Sequence, residues 1–182
     1  SKVFLTWFLI LIVISFDVVL EKYTGQNILG YKSVHDRIVS FFKDELIIGG
    51  FINSFYLLII GYLFYKYKDR KKFIFLISIL FLYIILITGE RTNSIKALIG
   101  IITFYFLSDI FQKKQKMIIS ISIIFLTIFF IAKFDNFLKY RFYEQIKAYD
   151  KERDLGNVKV YLNLYKTGFK IFKENKLLGV GN

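Results

Sequence analysis

The stretch Thr88-Gly89-Glu90-Arg91-Thr92 joins two apolar runs, 73–87 and 94–107, and sets an acid and an arginine between them. A charged pair at that depth is costly in lipid. Residues kept at such a cost usually face a bundle interior and mark a site. A solvated turn, with Gly89 as the C-cap of the preceding helix, is the other reading of the same five residues. Three further groups bear on the choice: Asp17 near the end of the first apolar run, Arg37 in the segment after it, and Lys96 about one turn into the fourth run. Whether they meet depends on how the chain crosses the membrane.

The elements that must position them are visible in the hydropathy. Of 182 residues, 55% are hydrophobic and 20% aromatic, a balance too apolar for an ordinary soluble domain. Five apolar segments stand out, at 3–20, 46–65, 73–88, 92–110 and 117–132. At about 1.5 Å of rise per residue, each approaches the roughly 30 Å of a bilayer's hydrocarbon core. The predicted fold is all-α: residues 1–132 form a polytopic transmembrane bundle of about five spans, and 133–182 begin an outer loop domain with amphipathic helices. Cysteine is absent and His35 is the only histidine, which excludes a disulfide framework and any multi-histidine metal centre. No cofactor and no nucleic-acid partner are expected. The chain opens on Ser1 close to an apolar run and reaches Asn182 directly after a Gly-Val-Gly turn. It is therefore expected to be an internal piece of a larger polytopic protein.

Loop charges predict the orientation. The link 66–72 carries five bases and one acid, and 112–116 carries three bases and no acid; two spans separate them, so they share a side. Residues 21–45 carry four bases against four acids. The positive-inside rule places the first two links in the cytoplasm. Segment 21–45, the 89–91 turn and everything after Lys133 then lie outside. Asp17, Arg37, Glu90, Arg91 and Lys96 can all reach one outer-leaflet cavity.

Two amphipathic stretches follow. In 134–149, Phe134, Phe137, Leu138, Phe142 and Ile146 alternate with charged residues, as in a short helix at a membrane surface. Residues 150–156 read as a polar linker, with Asn157 as N-cap of a helix over 158–174. There Tyr161, Leu164, Tyr165, Gly168 and Phe172 make one stripe, and Lys159, Asn163, Lys166, Lys170 and Lys173 the opposite one. The tail from Lys133 holds eleven bases and six acids. Such a basic surface beside the outer leaflet suits an anionic, membrane-bound ligand, or simply anionic headgroups.

Three of these stretches resemble motifs of the O-antigen ligase and polymerase superfamily. One runs from Asp17 through Gly25-Gln26-Asn27-Ile28-Leu29-Gly30 and Arg37 to Phe41-Phe42-Lys43-Asp44-Glu45 and Gly49-Gly50. The second is Thr88-Gly89-Glu90-Arg91-Thr92, and the third is the segment 164–181 ending in Gly179-Val180-Gly181. The chain departs from the family pattern at Lys176 for proline, Tyr165 for tryptophan and Glu90 for serine. The family's acid/base histidine lies beyond its Gly-Val-Gly turn, and His35 does not match it.

The resemblance implies a glycosyltransferase of the bacterial inner membrane that moves a glycan from undecaprenyl diphosphate to a lipopolysaccharide core or similar glycolipid acceptor at the periplasmic face. Its main electrostatic need is to stabilise the departing diphosphate. Guanidinium groups suit this, being always charged and able to bind phosphate oxygens in pairs. Arg37 and Arg91 are the implied catalytic clamp. Lys96, Glu90, Asp17, Tyr161 and Tyr165 are implied substrate contacts, with Glu90 orienting Arg91 or Lys96. Phe41 and Phe42, with the two tyrosines, could line a groove for the polyprenyl chain. A polymerase joining lipid-linked repeat units is the alternative within the superfamily. Outside it, a transporter or channel fragment would use the same charges as an ion path, although such proteins usually carry broken spans and midplane charges.

Overall fold

The computed structural model describes residues 2–34, 37–43, 45–108, 111–133, 136–144 and 155–176. His35 and the Gly-Val-Gly turn at 179–181 lie outside the described residues. The chain divides into two units, Ser1–Arg141 and Phe142–Asn182.

Five long helices build the first unit: α1 (Lys2–Thr24), α2 (Ile48–Lys66), α3 (Lys71–Ile87), α4 (Arg91–Leu107) and α5 (Lys113–Lys133). A four-residue helix, α6 (Asn136–Lys139), runs into one π turn over Tyr140–Glu144. The second unit contributes α7 (Leu155–Glu174). No strand is present among the described residues; two isolated antiparallel bridges pair Gln26 with Lys32 and Val34 with Arg37. This is an all-α, membrane-type bundle, as the hydropathy predicts. Helices α1, α2 and α5 are long and apolar enough to cross a membrane by themselves. Helices α3 and α4 have 17 residues each, about 26 Å of rise. The C-terminal end of α3 need not reach headgroups, because Ile84 to Ile87 and Thr88 are buried in protein.

Helix α2 is central and packs against α1, α3 and α4. Its buried face is Ile48, Ile52, Tyr56, Ile59, Ile60 and Leu63, residues recurring at helical spacing. In lipid the apolar surface is solvated whether or not helices associate, so close packing and interhelical hydrogen bonds must hold them together. Both are present. Tyr56 Oη donates to the Ala97 carbonyl at 2.7 Å, and the Ser78 and Tyr105 hydroxyls pair at 2.7 Å between α3 and α4. Gly100 lets α4 approach α2: a Cβ there would lie 2.8 Å from Leu57 Cδ1.

Several boundaries differ from the apolar runs for local reasons. Helix α1 continues a turn past residue 20, because Glu21 is buried along with Asp17. It ends at Gly25, whose φ of 79° and bond from its N–H to the Glu21 carbonyl make a left-handed cap. Helix α7 begins at Leu155, two residues before Asn157, which is thus inside the helix. Leu155 and Val158 continue the apolar stripe of the sequence toward the N-terminus from Tyr161. Of the surface helix read over 134–149, the described part is α6 and the π turn; 134–135 and 145–149 lie outside the described residues.

Candidate functional site

The end of the bundle formed by the C-termini of α1 and α3 and the N-termini of α2 and α4 is rich in buried polar groups. Asp17, Glu21 and Glu90 are 0%, 1% and 7% exposed. An unpaired carboxylate would be intolerable there, so each must find donors. The donors are mostly backbone N–H groups, and they tie the loops to the helices.

Asp17 Oδ1 accepts the Ile28 N–H at 2.8 Å, and Oδ2 accepts the Ser40 hydroxyl at 2.5 Å. One turn on, Glu21 Oε1 accepts the Ser33 hydroxyl and the Val39 N–H, and Oε2 accepts the Ser40 N–H at 2.7 Å. Asn27 turns the loop between them: its Oδ1 accepts the Tyr31 N–H at 2.8 Å, and its Nδ2 donates to the Ser40 carbonyl. Ser40 sits at φ 50°, a left-handed conformation costly for a side chain with a Cβ. Its N–H, hydroxyl and carbonyl are all bonded, which holds it there.

Glu90 does the same for the helix α2. Its Oε1 accepts the Gly49 N–H at 2.8 Å, and Oε2 accepts the Gly50 N–H at 3.2 Å and Asn93 Nδ2 at 2.5 Å. Gly49 and Gly50 belong to the first turn of α2, where N–H groups have no partner within the helix and the macrodipole favours an anion. The carboxylate of Glu90 therefore orients a helix terminus and Asn93, not Arg91 or Lys96. The 88–90 turn is buried throughout, with Thr88 0% exposed, so it is no solvated connection.

With the acids committed to donors, the cations define what remains. Arg37 Nη2 donates to the Leu46 carbonyl at 3.3 Å, and its Nε is buried with no hydrogen-bond partner among the described residues. Its side chain crosses Gly89: a Cβ on that glycine would lie 3.9 Å from Arg37 Cγ and 2.8 Å from the Phe137 ring. Gly89 also has φ 75°, so both conformation and space require glycine. Arg141 Nη2 donates to the Gly89 carbonyl at 3.4 Å. Lys22 Nζ lies 5.1 Å above the Phe137 ring. Arg37, Arg141 and Lys22 thus converge on Gly89 and Phe137.

Arg91 is the first residue of α4, half-buried, and no hydrogen bond to another described residue engages its guanidinium. Lys96 is exposed on the same helix. Tyr161 and Tyr165 fall one turn apart on α7, in the second unit. Asp17 belongs to the buried wall, and Phe41 and Phe42 pack against the core. Sequence reading missed Glu21, Arg141 and Lys22. Glu21 was findable, since it follows Asp17 by four residues and so shares its helix face. Nothing in the sequence distinguished Arg141 from the other bases of its amphipathic stretch.

Below Gly89, α3 and α5 enclose an apolar groove of about 670 Å³. Leu76, Ile79 and Leu86 line one side, and Ile119, Leu126 and Phe130 the other. Tyr83 and Phe130 meet edge to face at 5.1 Å across it. Leu86, at its upper end, accepts the Gly89 N–H.

Glu21→Gln is expected to cost about 2 kcal/mol, because an amide must present a donor to groups that are themselves donors. Thermal unfolding in detergent and proteolysis of the 25–45 loop read this out. An unchanged melting temperature and an intact loop would show that Glu21 does not order it.

No curated protein and no solved structure matches the chain. The family described as O-Antigen ligase matches residues 76–182. The match begins within α3 and includes Gly89, Glu90, Arg91, Arg141 and all of α7; the Asp17–Arg37 region precedes it. With more than half its length in that match and an all-α membrane bundle around it, the chain belongs to the O-antigen ligase family.

Proposed function

We propose that this chain binds the diphosphate of a lipid-linked glycan donor in a membrane glycosyltransferase of the O-antigen ligase type. The donor is an undecaprenyl-diphosphate glycan, and the acceptor a lipopolysaccharide core or similar glycolipid. The site faces the periplasm from the bacterial inner membrane, the orientation that the basic links 66–72 and 112–116 favour. The observation that carries the reading is the convergence of Arg37, Arg141 and Lys22 on Gly89 and the Phe137 ring beside it, with a buried Arg37 donor still open to a ligand among the described residues.

In such a transfer the anomeric carbon–oxygen bond to the diphosphate breaks and a bond to an acceptor hydroxyl forms. The leaving oxygen gains charge as the bond breaks. Preplaced guanidinium donors in a site of low water content stabilise that charge without reorganising. Arg37 and Arg91 form the proposed clamp, with Arg141 and Lys22 adding positive charge beside it. The groove between α3 and α5 offers the polyprenyl chain an apolar path ending beside Gly89. Asp17, Glu21 and Glu90 act through the loop and the helix they hold. Their oxygens are occupied by N–H and O–H donors, so the acceptor proton goes to a base outside this set. Lys96, Tyr161 and Tyr165 enter the proposal as substrate contacts on the resemblance alone.

In the intact protein, Arg91→Lys is expected to lose most glycan transfer from a purified lipid-linked donor while expression stays normal. Transfer near the unmodified level would remove Arg91 from the clamp. A repeat-unit polymerase would use the same donor half, and supplying either a glycolipid core or a second lipid-linked glycan as acceptor separates the two reactions.

A further inference from the structure

The other end of the bundle carries a second arrangement, independent of the donor site. There the first turns of α1, the last turn of α2 and the first turns of α3 surround a pocket of about 320 Å³. Its walls are apolar: Phe8 and Leu5 from α1, Leu63 from α2, Ile74 and Ile77 from α3. Leu63 and Ile74 are buried at its base, whereas Lys66 and Arg70 at its mouth are exposed. Phe4 and Tyr62 stack at 4.5 Å beside it, closing α1 against α2. Lys66 Nζ stands 5.1 Å from the Tyr67 ring centroid and 5.8 Å from that of Tyr62. The ring faces hold the ammonium near the mouth without neutralising it.

The surroundings sharpen the electrostatics. Residues 66–72 hold five bases and one acid, Asp69. A ligand for this pocket must therefore combine negative charge at the top with hydrocarbon below. It must also reach the pocket from within the membrane, since α1 and α2, which supply much of its wall, are long and apolar enough to cross a membrane. A soluble anion meets the first need and not the second. An uncharged lipid meets the second and not the first.

We infer that the pocket is a binding site for one anionic phospholipid. Its phosphate lies between Lys66 and Arg70, and one acyl chain runs down Phe8, Leu63, Ile74 and Ile77. A zwitterionic lipid binds less well, because its own ammonium enters the field of the same cations. The basic link 112–116 shares this face but differs in kind: Lys116 Nζ is spent on the Phe106 carbonyl at 2.8 Å. Charge in that link attracts headgroups generally, so it serves as the control.

The chain, purified and reconstituted into nanodiscs of phosphatidylethanolamine with a minor share of phosphatidylglycerol, should retain one phosphatidylglycerol on gentle delipidation, as counted by native mass spectrometry. Lys66→Ala with Arg70→Ala should lower that retention about tenfold. Ile77→Trp, which fills the pocket and leaves every charge in place, should lower it as well. Leu5→Trp makes the same test from an exposed wall residue, should Ile77→Trp fail to fold. Lys113→Ala with Lys114→Ala should change nothing. The inference is overturned if retention survives filling of the pocket, or if removing the charges of 112–116 reduces it as much as removing Lys66 and Arg70. Either result would reduce the effect to general attraction between a basic face and anionic headgroups.

Discussion

Replacing Arg37 by lysine is expected to lower glycan transfer by about 10²–10³-fold, the usual cost of losing a preplaced donor to a developing anion. The fold should barely notice. Among the described residues the Arg37 guanidinium makes one hydrogen bond, 3.3 Å to the Leu46 carbonyl, and losing such a bond costs about 1 kcal/mol. A lysine could keep that tie or reach a phosphate, but its single ammonium lacks the planar fork that does both. Transfer from a purified lipid-linked donor, measured beside thermal unfolding in detergent, separates the two roles. A loss of activity at unchanged melting temperature is the expected pattern. Equal losses of both would make Arg37 a structural residue of the loop, and retained transfer would move the leaving-group contact elsewhere.

Much of this architecture was legible in the hydropathy, and the reasons are physical. A helix in lipid must satisfy its own backbone and clothe itself in apolar side chains, so length and composition mark it. The charges at the end of α3 were legible as unusual for the same reason. Their division of labour was not. Asp17, Glu90, Arg37 and Arg91 look alike in a sequence, as polar residues near one membrane face. In the folded chain the acids are buried and bonded to backbone N–H groups of residues 28, 39, 40, 49 and 50, while Arg37 keeps a buried donor open among the described residues. Those partners depend on the path of the loop, which turns at Gly25 and Gly30 and passes through a left-handed Ser40. No periodicity encodes such a path. Arg141 was hidden differently: its stretch has a helical apolar pattern, yet the backbone changes from α to π geometry at Tyr140, and pattern alone cannot announce that change.

Gly49→Ala should be among the most damaging additions of a single methyl group to this bundle. The new Cβ would stand 2.7 Å from Thr88 Oγ1 and 2.9 Å from Glu90 Cδ. Neither neighbour can retreat cheaply. Thr88 is fully buried and donates to the Ile85 carbonyl at 2.7 Å, and the Glu90 carboxylate is held by the N–H groups of residues 49 and 50, the first of which the alanine would itself carry. The helix start must therefore separate from the turn, with overpacking and unsatisfied donors together costing about 3 kcal/mol or more. Gly50→Ala is the internal comparison. Its Cβ would meet Asn93 Nδ2 at 3.1 Å, the end of a side chain that need give only a few tenths of an ångström against its bond to Glu90 Oε2, so about 1 kcal/mol or less is expected. Glu90→Gln should fall between them, near 2 kcal/mol, because the amide keeps the shape and loses an acceptor. Melting temperatures in detergent rank the three. Equal values for the two glycine variants would show that the Glu90 cradle does not fix α2 to the turn. The ranking also bears on chemistry, because Glu90 lies between Gly89, over which Arg37 passes, and Arg91. A displacement at Gly49 is therefore expected to reach both arginines of the proposed clamp. Activity in the fraction of Gly49→Ala that still folds should then fall further than its stability alone would require.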